Sequence, residues 1–135
     1  MNVVREAMVA DPPTLPMSAS AEEAGRALAR PEVRAVFVCD EGRFVGVVTR
    51  KTLVREVVAT GLDPKATALG GIAEEPHYTI EASTPVDEAF QFMEEKDAER
   101  VPVVEGEQLV GVLSRSVLQR RLAEDEPPAL EPDLA

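Results

Sequence analysis

With 135 residues and 44% hydrophobic content, the chain can form one compact domain or two very small ones around a real core. A formal net charge of −11 argues against a nucleic-acid partner, which needs clustered Lys and Arg, and disfavours acidic membrane surfaces. Apolar runs are only a few residues long, far short of the roughly 20 of a spanning helix. The opening MNVVREAMVADPP carries charges where a signal peptide has its apolar centre, so no membrane association and a cytoplasmic location are expected.

In chain order, a short strand is expected around Thr14-Leu15. SASAEE then supplies the Ser-before-acid pattern of a helix start, and Ala21, Ala24 and Leu28 fall on one face of the helix that follows. VRAVFVCDEGRFVGVVT reads as two β-branched runs around an acidic, Gly-containing turn, a hairpin, and TRKTLVREVVA as a closing helix with Thr49 at its N-cap. Thr60 to Gly71 has the Gly and Pro content of a linker. The same order then recurs: a strand at Thr79-Ile80, STPVDE with Pro85 at a first helical position, and a helix with Val86, Ala89, Phe90 and Met93 on one face. The hairpin ERVPVVEGEQLVGVLS and the helix SRSVLQRRLAE, with Ser114 at its N-cap, complete it. The expected division is a first unit at 1–59, a linker at 60–71, a second unit at 72–123 and an acidic, Pro-rich tail at 124–135, disordered or docked as an arm.

Sliding the chain against itself by 65 residues aligns Val4–Val57 with Leu69–Leu122 without a gap, and the aligned pairs include Thr14/Thr79, Val36/Val101, Gly46/Gly111, Arg50/Arg115 and Arg55/Arg120. Other positions stay apolar in both copies, so a core pattern repeats and not a biased composition. Each copy reads β-α-β-β-α. The fold class is therefore mixed α/β (α+β), built from two repeated units. Gly46 and Gly111 mark places where another backbone can approach closely.

These pieces together resemble a tandem pair of cystathionine β-synthase (CBS) domains, a Bateman module. The resemblance rests on VREAM at Val4–Met8, Thr14-Leu15, Glu23-Ala24 and GVVT, then Thr79-Ile80, Glu88-Ala89 and GVLS, in that order and doubled at one interval. It implies two units around a pseudo-twofold axis with two clefts between them, and dimers as flat discs. It implies that adenosine nucleotides or related molecules bind in the clefts and that occupancy is relayed to a partner. The usual ribose-holding signature, Gly-x-x-Thr/Ser-x-x-Asp, is incomplete: the acid's place is taken by Thr52 in the first copy and Val117 in the second. Hydrogen bonds to a charged group contribute roughly 1.5–3 kcal/mol, so loss of the acid weakens such a site by orders of magnitude, less in the first unit, where Thr52 keeps a hydroxyl.

Arg50 and Arg115 each stand in the first turn of a helix, where the macrodipole disfavours a cation. Either an anion such as phosphate shares the helix start with them, or they are simply solvated. Lys51 favours the first unit. Thr49 and Ser114 have a capping role that needs no ligand, and Thr14, Thr79, Val36 and Val101 are explained equally by strand or core packing. The candidate contacts are Thr14, Val36, Phe37, Thr49, Arg50 and Thr52 in the first site, and Tyr78, Thr79, Val101, Pro102, Ser114 and Arg115 in the second. His77 and Tyr78 either stack on a base or are exposed loop residues. With one His and one Cys, no metal-ligand spacing, phosphate loop or nucleophile elbow is present, and Cys39 is expected to be a small buried thiol.

Phe90 and Phe92 stand where the first copy has Gly25 and Ala27, and residues two apart on a helix point about 200° apart, so one ring is expected to meet another subunit or the opposite unit, and a homodimer is expected. The preferred function is a non-catalytic regulatory pair that needs no cofactor, binds a small ligand such as AMP, ADP or ATP, and signals by a conformational shift to an unknown protein partner. The alternative is a ligand-free dimerisation or interaction module.

Overall fold

The computed structural model describes residues 2–125; of the acidic tail expected at 124–135, residues 124 and 125 belong to the last helix, which runs to Asp125, and the rest lies outside the described residues. The elements are β1 (Val9–Ala10), β2 (Thr14–Pro16), α1 (Ala21–Leu28), β3 (Val36–Asp40), β4 (Arg43–Val48), α2 (Arg50–Leu53), β5 (Ile80–Glu81), α3 (Val86–Glu95), β6 (Arg100–Glu105), β7 (Gln108–Ser114) and α4 (Arg115–Asp125). A π-helical turn, Val54–Val58, extends α2. Each copy thus has the expected β-α-β-β-α order. In each, a short strand pairs in parallel with the first hairpin strand, β2 with β3 and β5 with β6.

Local sequence accounts for most of this. Ser20 caps α1 by accepting from the Glu23 amide at 3.2 Å, and Ala21, Ala24 and Leu28 are buried as the 3.6 period requires. Pro85 lies one residue earlier than expected, at the N-cap of α3 with an extended ψ of 141°. Both hairpins bulge at equivalent places: Val38 faces Gly46 but Cys39 faces Phe44, and Val103 faces Gly111 but Val104 faces Leu109. One extra residue, Val45 or Val110, is left over in each hairpin.

The two halves meet at the hairpin edges, where Arg43 pairs with Gln108, so the strand order runs β2-β3-β4-β7-β6-β5. They are held together more firmly by their leading segments, which cross over. Val4 donates its amide to Thr84 and Arg5 to Ala82, while β1 pairs with β7 through Val9–Val112. Sixty-five residues on, Leu69 donates to Ala19, Gly70 to Met17, and Glu74 pairs with Val47 of β4. Each unit's leader therefore completes the other unit. Val4 and Ala7 belong to the core of Ile80, Met93, Val103 and Leu118, whereas Leu69 and Ile72 belong to that of Leu28, Val38, Val48 and Val57.

This crossing explains the paired glycines. A Cβ on Gly46 would lie 2.8 Å from the Ala73 Cβ and 3.1 Å from the Glu74 carbonyl oxygen; one on Gly111 would lie 2.5 Å from the Met8 Sδ and 2.8 Å from the Val9 carbonyl oxygen. Neither glycine has a positive φ, so the requirement is space for the other unit's leader. Gly111→Ala is expected to cost about 1–3 kcal/mol in urea denaturation, as overpacking does, because the Val9 backbone cannot swing aside. Gly71→Ala, where a Cβ meets nothing within 4 Å, serves as the neutral comparison.

The two phenylalanines of α3, Phe90 and Phe92, both find contacts within the second unit. Both rings are half-buried against the core of their own unit, and Tyr78 packs edge-to-face on Phe92 with centroids 5.4 Å apart. The loop before β5 reaches the side of α3 that helix periodicity alone leaves bare.

Candidate functional site

Both units line one cavity of about 790 Å3, a size that suits a small-molecule ligand. The first unit contributes Phe37 from β3, Val47 from β4, Thr49 at the strand-to-helix corner, and Lys51 and Arg55 beyond it. The second contributes its leader, Glu74 to Tyr78, the α3–β6 loop with Lys96 and Asp97, Arg100 and Pro102 from β6, and Val112 from β7. The leader reaches the cavity because it pairs with β4. Four cations thus converge on one hollow of a chain with net charge −11, beside Glu74, Glu75 and Asp97. Lys51, Lys96 and Arg100 have no ion-pair partner among the described residues.

At the first corner, Thr49 and Thr52 cap reciprocally: the Thr49 amide donates to the Thr52 Oγ1 at 3.0 Å and the Thr52 amide to the Thr49 Oγ1 at 3.3 Å. Thr52 is fully buried, and its hydroxyl donates to the Glu74 Oε2 at 2.5 Å. An ionised carboxylate only accepts, so the proton between the two hydroxyls, 3.1 Å apart, comes from Thr49. Arg55 Nη2 donates to Glu74 Oε1, also at 2.5 Å. The bonds from Thr52 and Arg55 hold the Glu74 carboxyl below its ordinary value against the opposing effect of burial. Both threonine hydroxyl protons are thereby committed inside the protein.

The second corner is built differently. Glu99 Oε1 accepts from the Ser116 Oγ at 2.8 Å and from the Ser116 amide at 3.4 Å, and Ser114 reaches it at 3.4 Å. The Ser116 hydroxyl is the main reason the Glu99 carboxyl lies below its usual value. The start of α4 thus holds an anion already, the protein's own. Arg34 occupies the equivalent place in the first unit.

Of the other residues singled out in the sequence, Phe37, Tyr78 and Pro102 line the cavity alongside Thr49. Val36 and Val101 are buried in the two cores. Thr14 borders a separate hollow of about 430 Å3 with Pro12, Cys39 and Leu109, and Thr79 is exposed and lines neither. Cys39 is half-buried, and desolvation raises its thiol pKa.

Arg50 and Arg115 lie outside the cavity lining. Arg50 Nη2 donates to the Arg30 carbonyl at 2.8 Å, just past the end of α1, and Arg115 Nη1 to the Met93 carbonyl at 3.4 Å, in the last turn of α3. Each guanidinium thus serves the carbonyl end of its own unit's first helix, where the dipole favours a cation. Arg115 also pairs with Asp97 and Glu99. Glu74, Arg55, Lys96 and Arg100 were not candidates from sequence. Arg55 carried the one available signal, its identity with Arg120.

Comparison with known proteins adds to this geometry. The family model described as CBS domain matches residues 4–59 and again 69–124. Hypoxic response protein 1 of Mycobacterium tuberculosis is 32% identical over 94 residues, which span 69% of this chain and 66% of that protein. A crystal structure of Hypoxic Response Protein I with two coordinated zinc ions superposes with a TM-score of 0.75 at 26% identity, covering 90% of this chain and 99% of that one. The zinc belongs to that protein; among the described residues here, no three His, Cys, Asp or Glu side chains are grouped to hold a metal ion. A structure of CBSX2 in complex with AMP has a TM-score of 0.72 at 21% identity, covering 92% of this chain and 98% of that one, a likeness of fold.

Proposed function

The chain belongs to the CBS domain family, as a tandem pair, and from that premise we propose that it is a non-catalytic sensor binding a small phosphorylated ligand, an adenosine nucleotide, in the cavity between its units. The carrying observation is the meeting of Lys51, Arg55, Lys96 and Arg100, two from each unit, beside apolar walls at Phe37, Pro102 and Val112. A ring system fits the walls and a phosphate fits the cations. AMP on the similarly folded CBSX2 supports the choice of nucleotide. One ligand per chain is proposed, because Glu99 fills the second corner. A phosphate bound by side chains of both units favours one relative packing of the halves over others, and this is the proposed signal to a partner protein in the cytoplasm.

A second reading has an observation of its own. Val54 and Val58, at the two ends of the π-helical turn, and Leu62 in the loop just beyond it are 58%, 72% and 47% exposed. Exposed apolar side chains grouped in one short segment support a homodimer, and hence a ligand-free interaction module.

Calorimetric titration with AMP, ADP and ATP, together with a thermal melt, separates the readings. At one hundred times the dissociation constant, a ligand specific for the folded state adds about 2.7 kcal/mol of stability. Arg100→Ala is expected to weaken binding about tenfold. Absence of both heat and stabilisation with all three nucleotides supports the ligand-free module.

A further inference from the structure

Resting on the reading just given, we infer that Glu74 sets the chemical class of the ligand: its carboxylate takes two hydroxyl donors, a vicinal diol, so the cavity selects ribose-type phosphates over their deoxy counterparts.

Glu74 is well placed for this. Its backbone is pinned to β4 in both directions, Glu74 N to Val47 O at 2.9 Å and Val47 N to Glu74 O at 2.8 Å. A carboxylate has about four lone-pair positions. One on Oε2 is held by Thr52 and one on Oε1 by Arg55, leaving one on each oxygen for the cavity that Glu74 lines. The buried Thr52 hydroxyl has no freedom to turn, since the Thr49 amide and hydroxyl fix its lone pairs and Glu74 takes its proton. The carboxylate is therefore oriented before any ligand arrives, and two parallel acceptors suit two adjacent hydroxyls.

The rest of the cavity sets the other end of the molecule. Lys51, Lys96 and Arg100 only donate, and they call for an anion. A ligand must thus carry paired donors and a negative group together, as a sugar phosphate does. A deoxy analogue would leave a lone pair of a partly desolvated carboxylate without its partner, and sites built around such bonds discriminate strongly. Glu74 comes from the second unit's leader yet works at the first unit's corner, so the diol end is held across the join.

The test compares AMP with 2′-deoxy-AMP and 3′-deoxy-AMP by calorimetry, on the full chain and on Glu74→Gln. AMP is expected to bind at least about tenfold more tightly than either analogue. In Glu74→Gln the preference should shrink to within about twofold, while the preference for AMP over adenosine persists because the cations are untouched. Equal binding of AMP and both analogues by the unaltered chain, a result independent of any variant, overturns the inference. So does full discrimination in a folded Glu74→Gln. If no adenosine phosphate binds, the nucleotide reading falls instead, and ribose 5-phosphate against 2-deoxyribose 5-phosphate decides whether Glu74 still selects a diol. Equal binding of that pair, or binding of neither, overturns the inference as well.

Discussion

Leu69→Ala is expected to destabilise the protein by about 2–5 kcal/mol, the range for truncating a fully buried leucine. Leu69 lies within a stretch whose glycines and proline mark it as a linker, yet its side chain is 0% exposed in the core of the first unit. Its amide donates to Ala19 at 2.9 Å, so neighbouring backbone cannot easily collapse into the space a smaller residue leaves. Leu62→Ala, seven residues earlier and about half-exposed, should change stability by no more than about 0.5 kcal/mol. Urea denaturation of the two variants decides the matter. Similar small losses in both would mean that the second leader does not complete the first core.

The contrast between these leucines shows what the sequence carries. Periodicity gave α1, α3 and both hairpins, because the apolar face of a helix or strand is a local property and each unit repeats it. The need for close approach at Gly46 and Gly111 was legible for the same reason. Which backbone approaches was not. Val4 and Leu69 are apolar residues near short turns, and nothing local says that each inserts into the opposite half. Arg50 and Arg115 drew notice by standing at helix starts, yet they reach some twenty residues back to the ends of α1 and α3, a tertiary contact that outweighs the local rule. Phe92 looked stranded only because the loop carrying Tyr78 cannot be placed by helix spacing. Of the cavity, Phe37, Thr49, Tyr78 and Pro102 were found through the resemblance, whereas Glu74, Lys96 and Arg100 sit in or beside loops whose charges read as ordinary solvent faces.

Thr52→Asp places at the first corner the acid that the family signature carries, and it is expected to destabilise the protein by about 2–3 kcal/mol at neutral pH. The Thr52 hydroxyl lies 2.5 Å from the Glu74 Oε2, so a carboxylate there faces one already ionised. Two unit charges about 4 Å apart repel by about 4 kcal/mol at an effective dielectric of 20. Arg55, bonded to Glu74 and three residues from position 52, offsets part of this, as does rotation of the half-exposed Glu74 into solvent. Close carboxylates share a proton, which raises a folded-state pKa above its unfolded value. A raised pKa adds stability at low pH and loses it as pH rises through the folded value, so the deficit should shrink on acidification towards pH 5. Thr52→Asp combined with Glu74→Gln removes the second charge and lets the introduced carboxylate accept from the Thr49 amide as an ordinary capping-box acid. The double variant should recover most of the loss, a coupling of about 2 kcal/mol measurable by a double-mutant cycle. Additive losses in that cycle would mean that residues 52 and 74 do not share one acidic position, and the account of why this chain carries Thr52 would fail with them.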